Sequence, residues 1–353
     1  MKLMYNVSSG PAVYPKVVLE KIAQGVLQYN GHNISSLEMG HRSSLFSEVR
    51  NELVSLTKQI LEIPDDFTIL YLQGGGRLHF AQIPMNFLGE SEKAQFIDTG
   101  YWSNKAAEYT SAYGKTEILD SSKVENYNHI PAPDTSQLDG KYLQYCSNNT
   151  IFGTQFHDWP RANIPAVIDM SSDIFSRRVD WSCVDLALAC AQKNFGPAGL
   201  SLLVIKNDFL AKAKNDLPSV LSYENLATKN SNYNTPPIFN MCASLEMLKW
   251  MKGTGGIEKL ERQTKERASF LYHAIDKSDW VVNNISAGDR SLMNIVFNAK
   301  DEVIAKKLSQ QFTTANIFGF KGHKARGGFR IGNYIAQSHE AIEAVAKIIS
   351  SRT

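Results

Sequence analysis

Between about residue 17 and residue 250 the chain alternates short, unbroken apolar runs with stretches of helical periodicity. The runs lie at Phe67 to Leu72, Ala94 to Asp98, Tyr142 to Cys146, Ala166 to Asp169, Leu186 to Ala191 and Leu202 to Ile205. Amphipathic patterns at Val17 to Tyr29, Leu45 to Leu61, Leu78 to Phe87 and Ser103 to Tyr113 precede or separate them. Strands that are apolar throughout, rather than at every second residue, are covered on both faces. Strand–helix–strand alternation of that kind predicts an α/β domain built on a large, mainly parallel sheet.

After Gly253-Thr254-Gly255-Gly256 the texture changes. A long helical pattern (Ile257 to Asp276) is followed by a strand (Leu292 to Phe297), a helix (Asp301 to Phe312), a Gly-rich turn and a last helix (His339 to Ser350). This predicts a smaller α+β domain. The expected division is a large domain over 16–256 and a small one from 1–15 with 257–353.

The 353 residues carry 37 basic and 35 acidic side chains, a formal charge of +2. That balance argues against a general nucleic-acid or anionic-membrane binder, which needs a basic excess. No apolar stretch is long enough to span a bilayer. The start, Met1 to Asn6, turns polar too soon for a signal peptide. Cys146, Cys183, Cys190 and Cys242 form no Cys-x-x-Cys pair and no zinc set with nearby His, so no metal is expected. They read as reduced, mostly buried thiols of a cytoplasmic protein.

Four strand ends carry residues with chemistry. Lys193, in Ala191-Gln192-Lys193-Asn194, follows an apolar run and precedes a Gly/Pro turn. A desolvated lysine can condense with a carbonyl; an exposed loop lysine fits the window equally well. Gly74-Gly75-Gly76-Arg77 follows a strand and opens a helix, a phosphate nest or simply a tight turn. It is neither a Walker nor a Rossmann fingerprint, which disfavours a nicotinamide dehydrogenase. Asp169 ends a strand and could pair with a pyridinium nitrogen or act as a turn residue. Trp102, in Thr99-Gly100-Tyr101-Trp102, offers a flat face to a cofactor or to the core. Together, a phosphate nest, an aromatic plate, an acid and an amine at the edge where open α/β sheets bind ligands are what pyridoxal 5'-phosphate (PLP) needs.

The chain resembles the phosphoserine aminotransferase family, class V enzymes of fold-type I, over essentially its whole length. The blocks that carry the likeness are Asn6-Val7-Ser8-Ser9-Gly10-Pro11-Ala12, Gly40-His41-Arg42-Ser43, Gly74-Gly75-Gly76-Arg77, Asp98-Thr99-Gly100-Tyr101-Trp102, Ala191-Gln192-Lys193-Asn194, Asn234-Thr235-Pro236-Pro237 and Lys321-Gly322-His323. The resemblance implies a fold-type I PLP-dependent transferase with one cofactor per subunit, held as an aldimine on Lys193. It implies that Asp169 pairs with the ring nitrogen, that Trp102 stacks on the ring, and that Thr150 lies near the phenolic oxygen. Gly76, Arg77 and Gln192 would bind the cofactor phosphate. Asn234 and Thr235 would reach that phosphate from the other subunit of a homodimer with shared active sites.

For the substrates, L-glutamate and a phosphorylated 2-oxo acid, the resemblance points to Arg42 with His41 and Ser9, to Arg77, to Arg330 for the α-carboxylate, and to His323 in a segment that meets the substrate phosphate from the partner. Lys324 stands where the family commonly has arginine, keeping the charge but losing the fork geometry. The implied activity is reversible transamination between glutamate and 3-phosphooxypyruvate in L-serine biosynthesis, with a phosphohydroxythreonine pair in pyridoxine biosynthesis as a second one. Two rivals stand beside it. One is another fold-type I enzyme, such as an alanine–glyoxylate aminotransferase or a cysteine desulfurase, the latter needing a reactive Cys on a mobile loop. The other is a non-catalytic sensor of a phosphorylated metabolite, which would have no use for Lys193.

Overall fold

The computed structural model describes residues 4–351. Met1–Leu3, within both the expected small domain and the start read as too polar for a signal peptide, lie outside them, as do Arg352 and Thr353. A short strand, β1 (Tyr5–Asn6), is followed by α1 (Lys16–Leu27) and α2 (Ser44–Leu61). Ser43 starts α2 because its Oγ accepts from Phe46 N at 3.1 Å, satisfying one of the free donors at a helix start. The central run is β2 (Phe67–Gln73), α3 (Gly76–Phe87), β3 (Lys93–Asp98), α4 (Tyr101–Thr110), β4 (Lys115–Ser121), β5 (Leu143–Cys146), β6 (Ala166–Asp169), β7 (Leu186–Cys190), the single turn α5 (Ala191–Asn194) and β8 (Leu200–Lys206). These strands form one seven-stranded sheet in the order β2-β8-β7-β6-β5-β3-β4. Only β8 runs against its neighbours; all other pairs are parallel.

Strands β5, β6 and β7 are buried at every residue. Successive side chains enter different cores, which is why the runs show no polar alternation. Val167, Leu186 and Leu203 pack with Phe80, Ile83 and Phe87 of α3 on one face. Ile168, Ala187 and Leu202 pack with Phe46, Val49 and Leu53 of α2 on the other. Each such buried aliphatic side chain contributes roughly 1.5–3 kcal/mol.

All seven expected strands, Leu292 to Phe297 included, are present within one or two residues of their expected ends, and the expected Ala191 belongs to α5 instead of β7. The sequence reading missed β4. It is an edge strand, paired only with β3, and its residues are all exposed or half-buried, so it has no apolar run to betray it.

Past the sheet come α6 (Asn207–Leu210), α7 (Tyr223–Thr228), α8 (Ile238–Thr254) and α9 (Gly256–Asp276). Gly255, at φ +114°, takes the left-handed conformation that ends α8 and turns the chain into α9. The rest is β9 (Val281–Val282), β10 (Asn294–Ala299), α10 (Glu302–Thr314), β11 (Ile317–Phe318), β12 (Phe329–Gly332) and α11 (His339–Ser350). Strand β10 pairs antiparallel with β9 and β12, and β1 lies parallel to β11. A separate core joins Val7 to Leu271, Ile275, Ile295, Phe297, Ile331, Ile342 and Val345. The chain's first described segment therefore packs with its last hundred residues.

Candidate active site

The parallel strands β2, β3, β6 and β7 point their carboxyl ends to one edge of the sheet. Strand β2 delivers the glycine turn, β3 delivers Tyr101 and Trp102 at the start of α4, β6 ends in Asp169, and β7 runs into the helical turn that holds Lys193. Gly75, Gly76, Arg77, Trp102, Asp169 and Lys193 line one pocket of about 680 Å³. Gly74 sits at φ +116°, which lets the chain leave β2 sharply enough for α3 to begin at Gly76, with Gly75, Gly76 and Arg77 on the pocket wall.

Asp169 is buried. One carboxylate oxygen accepts from Ser171 N at 2.9 Å, and the other faces the Cys146 thiol at 3.8 Å. It is thus both a turn residue and a pocket acid with acceptor capacity left over. Cys146 was not singled out from the sequence. Its position opposite Asp169 in the β5–β6 register is the signal that could have found it. Burial, and next the Asp169 charge, push both the Cys146 and Cys190 thiols above their ordinary range.

Lys193 is half-buried and held in place by its neighbours. Asn194 Nδ2 donates to the carbonyls of Ser172 (3.2 Å) and Ile174 (2.8 Å), fixing α5 against the turn after β6. The Gln192 carbonyl accepts from Ala12 N at 2.9 Å, so the segment from Ser9 to Ala12 crosses beside the lysine. Tyr334 OH donates to the Ser9 carbonyl at 2.8 Å, while Ser9 Oγ is buried without a partner.

A second set of contacts closes the far side. Trp102 Nε1 donates to Thr150 Oγ1 at 3.2 Å, and Arg330 Nη1 donates to the Thr150 carbonyl at 2.7 Å. The Arg77 guanidinium lies 5.7 Å from the Trp102 ring centre, and its Nη2 donates to Tyr101 OH at 3.4 Å. The Tyr101 ring packs against His323 of the same chain, with ring centres 5.7 Å apart. His323 therefore stands beside Tyr101 of its own chain, and neither ring lines the pocket itself. Burial, reinforced by the charges of Arg330 and Lys324, lowers the pKa of that imidazole. Burial also lowers the pKa of Arg330, whose Nε is sealed off with no partner.

His41, Arg42, Asn234 and Thr235 do not line this pocket. Asn232 Nδ2 donates to the His41 carbonyl at 2.9 Å, so the 40–43 turn and the 232–235 segment lie together on another surface. Arg42, Asn234 and Thr235 are exposed there, and Lys324 is exposed on its own loop. All four cysteines are buried and unpaired, the opposite of a reactive loop thiol. Among the described residues no three His, Cys, Asp or Glu side chains gather as a metal site, and no helix is long and apolar enough to cross a membrane.

Residues 4–345 match the family model described as aminotransferase class-V. This fold and pocket are those of a PLP-dependent aminotransferase. A phosphoserine aminotransferase from Desulfosudis oleivorans is 42% identical over 347 residues, covering 98% of this chain and 96% of the relative. The solved phosphoserine aminotransferase from Bacillus circulans subsp. alkalophilus superposes with a TM-score of 0.94 at 35% identity, over 98% of this chain and 97% of that one. The PLP-bound phosphoserine aminotransferase from Trichomonas vaginalis superposes with a TM-score of 0.93 at 33% identity, over 99% of this chain and 100% of that one. The chain belongs to the class-V aminotransferases and, within them, to the phosphoserine aminotransferase family.

Proposed function

We propose that the protein moves an amino group reversibly between L-glutamate and 3-phosphooxypyruvate, giving 2-oxoglutarate and O-phospho-L-serine. The carrying observation is the meeting of a glycine nest, an indole, a buried acid and a held lysine in one pocket at four strand ends. The pocket's residues suit PLP. Gly76, Arg77 and Gln192 would take its phosphate at the start of α3. Asp169 has a free acceptor for its ring nitrogen, and Trp102 supplies a flat face. Thr150, bonded to the indole, would hydrogen-bond its phenolic oxygen. Lys193 would hold its aldehyde in an imine bond, one cofactor per subunit. When bound, PLP supplies an electron sink for the charge left on the substrate's Cα.

The chain's own residues do the rest. Arg330, anchored on Thr150, presents its remaining donors to the substrate's α-carboxylate. Lys193 Nζ would take the proton from Cα of the amino donor in one half of the exchange and deliver a proton to Cα of the oxo-acid acceptor in the other. Asp169 would hold a proton on the ring nitrogen by its negative charge. Trp102 and Phe80 give the pocket an aromatic wall. Ser9 and His323 stand at the substrate side.

The surface that joins His41 and Arg42 to Asn234 and Thr235 supports a homodimer in which each subunit completes its partner's site. The chain reads as two domains, 16–256 and 1–15 with 257–353, and as a cytoplasmic enzyme. A phosphohydroxythreonine pair fits the same chemistry as a second substrate. A coupled assay comparing phosphoserine, phosphohydroxythreonine and unphosphorylated serine tests this reading. Strong preference for a phosphorylated amino acid is expected; preference for serine would overturn the substrate.

A further inference from the structure

Gly10 sits at φ +128°, and a Cβ placed on it would stand 3.6 Å from Lys193 Cγ. The 9–12 segment therefore lies as a strap against the stem of the lysine. One end is pinned where Ala12 N donates to the Gln192 carbonyl at 2.9 Å. The other is pinned by the Tyr334 hydroxyl, which donates to the Ser9 carbonyl at 2.8 Å.

Tyr334 is firmly mounted. Its ring is fully buried, and Arg267 Nη2 of α9 donates to its carbonyl at 3.1 Å. The hydroxyl oxygen accepts from Asn294 Nδ2 of β10 at 3.1 Å, which leaves the phenolic proton directed at Ser9. Asn294 is oriented in turn. Its Oδ1 accepts from Asn148 Nδ2 at 2.9 Å, and that same nitrogen donates to Ser172 Oγ at 2.7 Å. A buried chain of hydrogen bonds thus runs from the turn after Asp169, through β10, to the strap on Lys193. Burial raises the Tyr334 pKa against the opposing charge of Lys193, so the phenol keeps the proton it donates.

We propose that Tyr334 is a positioning residue for Lys193. It holds the strap against the lysine stem, so that Nζ meets the substrate's Cα from one direction. This rests on the reading given under Proposed function. Neither Tyr334 nor Asn294 lines the pocket, so their effect passes through the strap. Proton transfer depends steeply on the placement of the base, whereas substrate binding does not depend on it.

Tyr334→Phe fills the same space and leaves the Ser9 carbonyl without its donor. Two measurements on the PLP-loaded enzyme test the idea, with the melting temperature as a control for folding. Hydrogen exchange at the Ala12 amide should quicken about fivefold or more, the size of one lost hydrogen bond, while exchange in β5, β6 and β7 stays as it was. The half-reaction with L-glutamate should slow about fivefold or more, with little change in the half-saturating concentration and a larger isotope effect from α-deuterated glutamate. Asn294→Asp puts an acceptor where the donor was and draws the phenolic proton away from Ser9. It should act in the same direction, and it stands in if the Phe variant is recovered unfolded. Unchanged Ala12 exchange, or faster exchange with an unchanged rate and isotope effect, in whichever variant folds overturns the proposal. A wild type that takes no amino group from glutamate defeats the reaction reading itself, a separate result.

Discussion

The Trp102 indole is tied to Thr150 by an Nε1–Oγ1 hydrogen bond of 3.2 Å, and Arg330 grips the carbonyl of the same threonine at 2.7 Å. One small residue after β5 thus fixes an aromatic plate from α4 and a cation from β12. Thr150→Val keeps the shape and removes the acceptor. Losing one hydrogen bond of about 1 kcal/mol should weaken PLP binding roughly fivefold. Equilibrium titration of the apoenzyme measures it, and unchanged affinity would show that the indole is held by packing alone.

Asp169→Asn tests the acid. The amide fits the same space and still accepts from Ser171 N, so the turn should survive. The charge is lost, and with it a charge-assisted bond of about 1.5–3 kcal/mol, so PLP affinity should drop about tenfold to a hundredfold. The half-reaction with glutamate should slow by at least about tenfold. A variant that keeps wild-type affinity and rate would remove Asp169 from the site.

His79, in α3 just past the glycine nest, sets a pH limit on stability. Burial pushes its pKa down to about 3. Its Nδ1 meets Tyr223 OH at 3.1 Å, and its Nε2 is buried without a partner. The unfolded chain binds a proton near pH 6.5 that the folded protein refuses, so stability is full above that pH and lost on acidification towards 3. Between neutrality and about pH 5 this one group should cost about 2 kcal/mol. Melting curves across that range should slope less in His79→Gln; parallel curves would contradict the assignment.

The thiols give a further check on reaction type. All four cysteines are buried, and burial is the leading cause of the raised pKa of each. Iodoacetamide at about pH 7.5 should therefore label none of them in the native protein and all of them after denaturation. Rapid native labelling of one would reopen the desulfurase alternative.

The strands and the four chemical strand ends were legible because local signals carry them. An apolar run, a glycine turn and a residue at its end are read within ten positions. Arg330's grip on Thr150 spans 180 residues, and no local pattern announces it. Cys146 beside Asp169 needs the β5–β6 register, which follows only once the strand order is known. Strand β4 escaped because edge exposure leaves Lys115, Glu117 and Asp120 polar, and pairing with β3 alone makes it a strand.

The central claim is that Lys193 bonds covalently to the cofactor. Borohydride reduction of the PLP-loaded protein, followed by peptide mass mapping, tests it most directly. A stable mass gain of one reduced pyridoxyl phosphate on Lys193 is the expected result. A reduced protein with no gain there, or with the label on another lysine, would contradict the account.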